Sequence, residues 1–384
     1  MARPERLPAT GLVADDLLGS VRDDQLVYFL LNVGDADAQL VLLPRDPSTG
    51  VRRAVIVDAG RTDKIPQLLR ALAAEGLLPT DGDGRLQEDT LALVVATHPH
   101  RDHIAGMAEL LEDFGYAVSE LWEPGYYHPG PDYLDMMAAL EDLSHIVYAQ
   151  PASGLRRFIG DVAVTVLAPS IQLRNRFDTY GVEINDASIS LRLEFPAARV
   201  VERTQRRTLK THPNPASLVL GADAQTLSWS YVMTDFPNLP HSDSDAAKAI
   251  RAATGRDLLR GQVLKVSHHA SKHGVNLELI ERVAPRLTLV SSLAAAGSYN
   301  FPRAVTQEVL REALEPIAGS GTQRASTDAQ LGLFYTADVD DRGHPLGSIA
   351  VVMSPAERRL WRFGDEPDEP LTLRSARRWK APLP

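Results

Sequence analysis

The stretch that most constrains this chain runs from Leu91 to Leu111 and reads LALVVATHPHRDHIAGMAELL. It opens with an apolar run and closes in a helix-period pattern, so a buried strand should end near Thr97 and a helix should begin a few residues later. Between them lie His98, His100, Asp102 and His103, four ligand-type side chains in one short loop. Positions 98 and 100 are two apart in extended backbone, face the same side, and can share one divalent ion, typically Zn²⁺. Asp102 and His103 sit where the loop turns back, within reach of a second ion; with one ion only, Asp102 is placed to act as general base. A capping aspartate at the helix start would account for Asp102 but not for the histidines around it.

Composition restricts what else such a loop can be. Cysteine is absent, so no disulfide braces the fold and no thiolate binds metal; ligands must come from His, Asp, Glu or Asn. The 384 residues suffice for one large domain or two ordinary ones. The first residues lack an apolar core of signal-peptide length, and no run approaches the ~18 apolar residues of a membrane span, so the expectation is a cytoplasmic protein with no membrane partner. A net charge of −10 argues against a large nucleic-acid footprint. Two basic clusters, Arg203 to Lys210 and Arg374 to Lys380, read as solvated loop and tail charges.

The order His98-Pro99-His100-Arg101-Asp102-His103 fits H-x-H-x-D-H and is similar to the signature of the metallo-β-lactamase superfamily of metallohydrolases. Further stretches, in the expected order, resemble the hydrolase domain of its ComEC-type competence branch. The resemblance implies an α/β chain folded as an αββα sandwich, two mixed sheets flanked by helices, and the alternation of strands and helices in two halves agrees with it. The expected organisation is an N-terminal arm over 1–22, the hydrolase domain over 23–364 and a C-terminal tail over 365–384. Within the domain, Asp63 to Glu75 reads as an amphipathic helix and Ala198 to Thr211 as a basic, irregular insertion.

Other positions acquire roles from the same resemblance. Gly34-Asp35-Ala36-Asp37 stands where V-G-x-G-D is usual, with Asp37 supporting the site from behind. Asp58-Ala59-Gly60 matches D-x-G; Asp58 either orients the metal loop by hydrogen bonds or simply forms a turn. Asn185-Asp186 stands where many members carry a ligating histidine, and their oxygens suit Mn²⁺ or Mg²⁺ better than zinc. Asp223, in Gly221-Ala222-Asp223, would bridge two ions with one carboxylate. Leu264 to Ser271 resembles L-K-x-x-H-H-G-S: His269 would complete the second site, while His268 would face the scissile group and polarise it or protonate the leaving oxygen. Ser271 and Lys272 could contact an anionic substrate, as could Asn300. Tyr127 and His128 lie in a loop that could line the pocket, although His128 could equally pack against Tyr126. The implied cofactor is Zn²⁺, one or two ions, with Mn²⁺ as the alternative. The implied chemistry is hydrolysis by a metal-activated water that Asp102 helps to orient. An anionic phosphodiester is the first choice of substrate and a small ester, lactone or amide the second. A metal-binding regulatory protein without turnover is the third reading.

Overall fold

The computed structural model describes residues 6–7, 11–60, 63–174, 183–203, 206–236, 259–292, 301–318, 327–381 and 383. Among them, one sheet has ten strands in the order Leu12–Ala14, Arg377–Trp379, Arg358–Arg362, Ile349–Met353, Leu26–Leu30, Ala38–Leu42, Ala54–Ala59, Leu91–Val95, Glu120–Trp122 and Val147–Ala149. A second has seven: Leu333–Tyr335, Leu287–Val290, Val263–Lys265, Ala216–Leu220, Ser190–Phe195, Val162–Ala168 and Arg156–Ile159. Both sheets are mixed in the same way. Antiparallel neighbours, such as Leu26–Leu30 with Ala38–Leu42 or Val162–Ala168 with Ser190–Phe195, lead into a parallel run. The parallel run continues from Ala54–Ala59 through Leu91–Val95 in the first sheet and from Ala216–Leu220 through Val263–Lys265 in the second.

The continuous apolar character of these strands follows from burial on both faces. Inward from the first sheet, Tyr28, Leu30, Val55, Val57 and Val95 meet Val164, Val166, Leu191 and Leu218 of the second. The alternate residues Val27, Phe29, Ile56 and Val94 pack outward on Leu68, Leu69, Leu110, Leu111 and Met136 of helices Lys64–Ala74, Met107–Phe114 and Pro131–Glu141. On the far side, Val219, Leu264 and Val290 meet Trp229, Val232, Leu279, Ile280, Leu310 and Leu314 of helices Thr226–Asp235, Leu277–Val283 and Ala304–Ala318. Each fully buried Val, Leu or Ile contributes about 1.5–3 kcal/mol, so the four layers hold together by apolar area rather than by covalent ties. This is the expected αββα sandwich.

Two expectations are corrected. The segments read as arm and tail each supply a strand: Leu12–Ala14 pairs with Arg377–Trp379, which in turn pairs with Arg358–Arg362. Within the presumed tail, Arg378 is ion-paired to Asp15 at 2.5 Å and Trp379 is buried against Phe334. Asp365 is buried too, joined to Lys64 at 2.6 Å and to the Ser348 hydroxyl at 2.7 Å. The segment read as irregular is a regular two-stranded ribbon, Arg199–Arg203 against Arg206–Lys210. Leu12–Ala14 is too short to show the alternation that marks a strand, and arginines break that alternation in Arg377–Trp379 and in the ribbon.

Candidate metal centre

The loops that follow the parallel strands of both sheets converge, and they carry nearly every ligand-type residue singled out above. Strand Ala54–Ala59 ends at Asp58, a non-glycine residue with φ of 61°. Its fully buried carboxylate accepts the Thr97 amide at 2.8 Å and the Thr97 hydroxyl at 2.9 Å, and lies 2.8 Å from His103 Nδ1. The pure-turn alternative therefore falls away: Asp58 holds the loop from beneath and assigns the proton of His103 to Nδ1, leaving Nε2 to face the site. Gly60 is required for the same closeness. Its amide donates to the Asp37 carbonyl at 2.8 Å, and a Cβ there would lie 2.7 Å from that oxygen and closer still to the Asp102 carbonyl.

Asp102, His103, Asp223 and His269 each offer one atom to a group whose members all lie within 4.8 Å of one another. His103 Nε2 stands 3.3 Å from Asp223 Oδ1 and 3.6 Å from Asp102 Oδ2, and His269 Nε2 stands 3.6 Å from Asp102 Oδ2. Three of these atoms, His103 Nε2, Asp223 Oδ1 and His269 Nε2, are buried without a well-formed hydrogen bond. Buried polar atoms left without partners are costly, and here they converge on one point. Two imidazoles and two carboxylates are the donor set of Zn²⁺, Mn²⁺ or iron, so the residues fit a divalent ion. Burial by itself would raise the Asp102 and Asp223 carboxyls, but His103 and its neighbours hold both below the usual range. The same carboxylates overcome burial at His103 and raise it well above an ordinary histidine.

A second, looser group lies on the other oxygen of the same carboxylate. His98 Nε2 is 3.8 Å from Asp223 Oδ2 and 3.1 Å from His100 Nδ1. His268 Nε2 is 3.6 Å from Asp223 Oδ2, and Asn185 Nδ2 is 3.4 Å from His268 Nε2. Burial, then proximity to His103, pushes His98 well below the ordinary histidine range, which keeps its ring neutral and able to donate a lone pair.

Behind both groups lies Asp37, fully buried and bonded to the fully buried Lys265 ammonium. It also accepts the Ser291 hydroxyl at 2.5 Å, while His269 Nδ1 lies 3.0 Å from that hydroxyl and 3.1 Å from the Ser291 carbonyl. Asp37 thus joins Lys265 and Ser291 behind the His269 ring, and with Asp58 and His103 it forms a further buried group of ligand-type atoms within 4.8 Å of one another. Thr97, Lys265 and Ser291 were not singled out from sequence as supports. They come from three different strand ends, and no local spacing connects them.

Several of the expected residues have other partners or lie off the cavity. Asp186 turns away and accepts the Ser228 amide at 3.1 Å, capping helix Thr226–Asp235. Ser271 is buried and accepts the Gly274 amide at 3.1 Å, closing its own turn. Tyr127 is 74% exposed and edges onto Tyr133, and Lys272 is exposed outside the cavity. His128 uses Nδ1 to accept the Gly130 amide at 3.1 Å, although its ring stands 6.5 Å from that of His100. Asn300 lies outside the described residues. The cavity over the centre, about 380 Å³, is lined by Asp35, His100, Arg101, Asp102, Asn185, Asp223, His268, His269 and Phe301. Arg101, unremarked in the sequence because it fills a variable position of the motif, is the exposed cation at its mouth.

Residues 49–198 match the family model of the metallo-beta-lactamase superfamily. That match covers 150 of the 384 residues, and the αββα sandwich agrees with the fold of that superfamily. Among solved structures it is similar to the metallo-beta-lactamase fold protein YhfI from Bacillus subtilis, at 12% identity over 70% of this chain and 86% of that one, with a TM-score of 0.34. It is also similar to a long form RNase Z from yeast, at 10% identity over 87% of this chain and 42% of that one, with a TM-score of 0.40. A third is CmlA, a diiron β-hydroxylase from Streptomyces venezuelae, at 10% identity over 77% of this chain and 51% of that one, with a TM-score of 0.39. The chain thus spans about half or less of the RNase Z and CmlA chains. No curated protein sequence matches it significantly. No helix among the described residues is long and apolar enough to cross a membrane.

Proposed function

We propose that this protein is a metal-dependent hydrolase of phosphodiesters. The observation that carries the reading is Asp223, a buried carboxylate faced on Oδ1 by His103 and His269 and on Oδ2 by His98 and His268. One carboxylate between two groups of imidazoles suits two cations, because its charge reduces their mutual repulsion. Asp102, His103, Asp223 and His269 would hold one ion, and His98 and His100, with Asp223, the other. Divalent ions held there would supply Lewis acidity and bring water toward neutral pKa. The chain's own part begins with orientation. Asp58 and Ser291 fix the His103 and His269 rings, Asp102 reaches the cavity to orient a nucleophile, and Arg101 offers a cation to an anionic substrate at its mouth. A pair of ions suits an in-line displacement at phosphorus, where attacking and leaving oxygens both need stabilising, better than the opening of a small ester or lactone, which one ion can serve. The ComEC-type motif resemblance points the same way.

The test is hydrolysis of bis-p-nitrophenyl phosphate and of labelled single- and double-stranded DNA by metal-stripped protein restored with Zn²⁺ or Mn²⁺. Asp102→Ala is the control. The reading expects metal-dependent cleavage that the variant loses. No cleavage of any phosphodiester by protein shown to hold its ions, with turnover of lactones or esters instead, would overturn it.

A further inference from the structure

We propose that His268 is a metal ligand, the imidazole that closes the His98 and His100 site on Asp223 Oδ2, instead of a group that meets the scissile bond. The inference rests on the reading of this cavity as a two-ion centre. Its starting point is the backbone. Adjacent side chains on a strand leave on opposite sides, so two neighbouring histidines do not ordinarily address one carboxylate. Here they do, because His268 (φ 49°, ψ 48°), His269 (φ 49°, ψ 32°) and Ala270 (φ 58°) are all left-handed. None of the three is glycine, and backbone of this kind persists only where the surroundings over-determine it. Asp58 and Ala222, next to the site, are also left-handed, so five of the seven such non-glycine residues among those described cluster at this centre.

What the unusual turn achieves is a division of labour on Asp223. His269 Nε2 lies toward Oδ1 and Asp102, while His268 Nε2 lies 3.6 Å from Oδ2, the oxygen that His98 Nε2 also faces at 3.8 Å. These separations are too long for hydrogen bonds. They suit donors sharing one ion at bond lengths of roughly 2.0–2.2 Å. Asn185 adds its amide 3.4 Å from His268 Nε2, and its Oδ1 is buried without a hydrogen bond. The His268 ring is set by Phe301, edge to face at 5.5 Å, and its Nδ1 has no hydrogen-bond partner. His103 and His269, by contrast, have their Nδ1 atoms at Asp58 and Ser291. The site that contains His268 is thereby the less firmly braced of the two and should load second and release first.

Metal content separates this from a proton-donating role. Wild-type protein, His268→Ala and His268→Gln are stripped, titrated with Zn²⁺ and with Co²⁺, and measured for bound ions by elemental analysis and for the Co²⁺ visible spectrum, with circular dichroism as a check on folding. The expected result is two ions in the wild type, the second binding more weakly, and a loss of at least ~10-fold in affinity for that ion alone in both variants. Asn185→His placed on His268→Ala should restore the second ion, since it returns an imidazole to the same space. Folded His268 variants that keep both ions at wild-type affinity, whatever their activity, overturn the inference and leave the two-ion reading intact. A wild type that binds no ion, or only one, overturns both.

Discussion

Replacing Lys265 by methionine tests whether the charges beneath the centre form one balanced unit. Lys265 and Asp37 have no solvent exposure, and the ammonium is bonded to the carboxylate. Burial pushes Asp37 toward its neutral form, and Lys265 is the principal influence holding it ionised, ahead of His269 and His103. Methionine keeps the length and apolar stem of the side chain but removes the cation. Asp37 is then left buried beside Asp58 with only the Ser291 hydroxyl and two histidines to answer it. Removing one member of a buried pair costs about 3–5 kcal/mol. At about 2.1 cal/mol/K of unfolding entropy per residue, a chain of 384 residues should lose roughly 4–6 °C in Tm. Replacing both members by neutral groups, Asp37→Asn with Lys265→Met, leaves no uncompensated charge and should recover more than half of that loss. The assay is calorimetric or denaturant unfolding in excess chelator, so that changed metal affinity does not enter. A single variant within about 1 kcal/mol of wild type, or a double variant no more stable than the single, would refute the reasoning.

Asp58→Asn should weaken metal binding about 10–100-fold, because the amide no longer fixes the His103 ring as a carboxylate does; competition against a chromophoric chelator reads this, and unchanged affinity would count against the orienting role. Gly60→Ala should cost about 1–3 kcal/mol and displace Asp102, since its Cβ has nowhere to go between two backbone carbonyls; unfolding curves within 0.5 kcal/mol of wild type would contradict it. Burial pushes the Asp338 carboxyl up to about 6, against the pull of Arg362 3.0 Å away. The folded value then exceeds the unfolded one, near 3.9, so the contribution to stability is fully present below the unfolded value and is lost as pH rises through about 6. Urea midpoints should accordingly show wild type gaining on Asp338→Asn, by up to about 3 kcal/mol, as pH falls from 7 to 4; a parallel pair of profiles would be inconsistent with the shift.

The metal loop was legible because its ligands lie close together in sequence and directly follow a strand whose apolar run is unbroken. The same holds for His268 and His269, although which oxygen each faces depends on three left-handed residues that carry no glycine to announce them. Asp223 was legible only in register with the motifs around it. Its use of both oxygens is a fact of packing between two sheets. Lys265, Ser291 and Thr97 escaped notice for a related reason: their partners are brought to them by strand order, across as many as 254 positions for Ser291 and Asp37. Asp186 was misread because an acidic residue beside a candidate ligand can serve either an ion or the nearest helix N-terminus, and only the position of Thr226–Asp235 decides. The terminal strands were missed because each has three residues, one of them carries two arginines, and they pair with each other across more than 360 positions.

That last pairing bears on how the protein can be made. Ile349–Met353 lies beside Leu26–Leu30 in the middle of the ten-stranded sheet, and Arg358–Arg362, Arg377–Trp379 and Leu12–Ala14 extend it outward. On the ribosome, the strands that carry Asp58 and His98 emerge early, yet the edge at Leu26–Leu30 has no neighbour until some three hundred further residues have followed. An apolar strand with open hydrogen-bonding groups is an invitation to other chains. Synthesis that stalls between residues 95 and 349 therefore releases an adhesive half-sheet, and the histidine loop, although it precedes them by some 250 residues, waits on Ile349–Met353 and the strands beyond for a finished support.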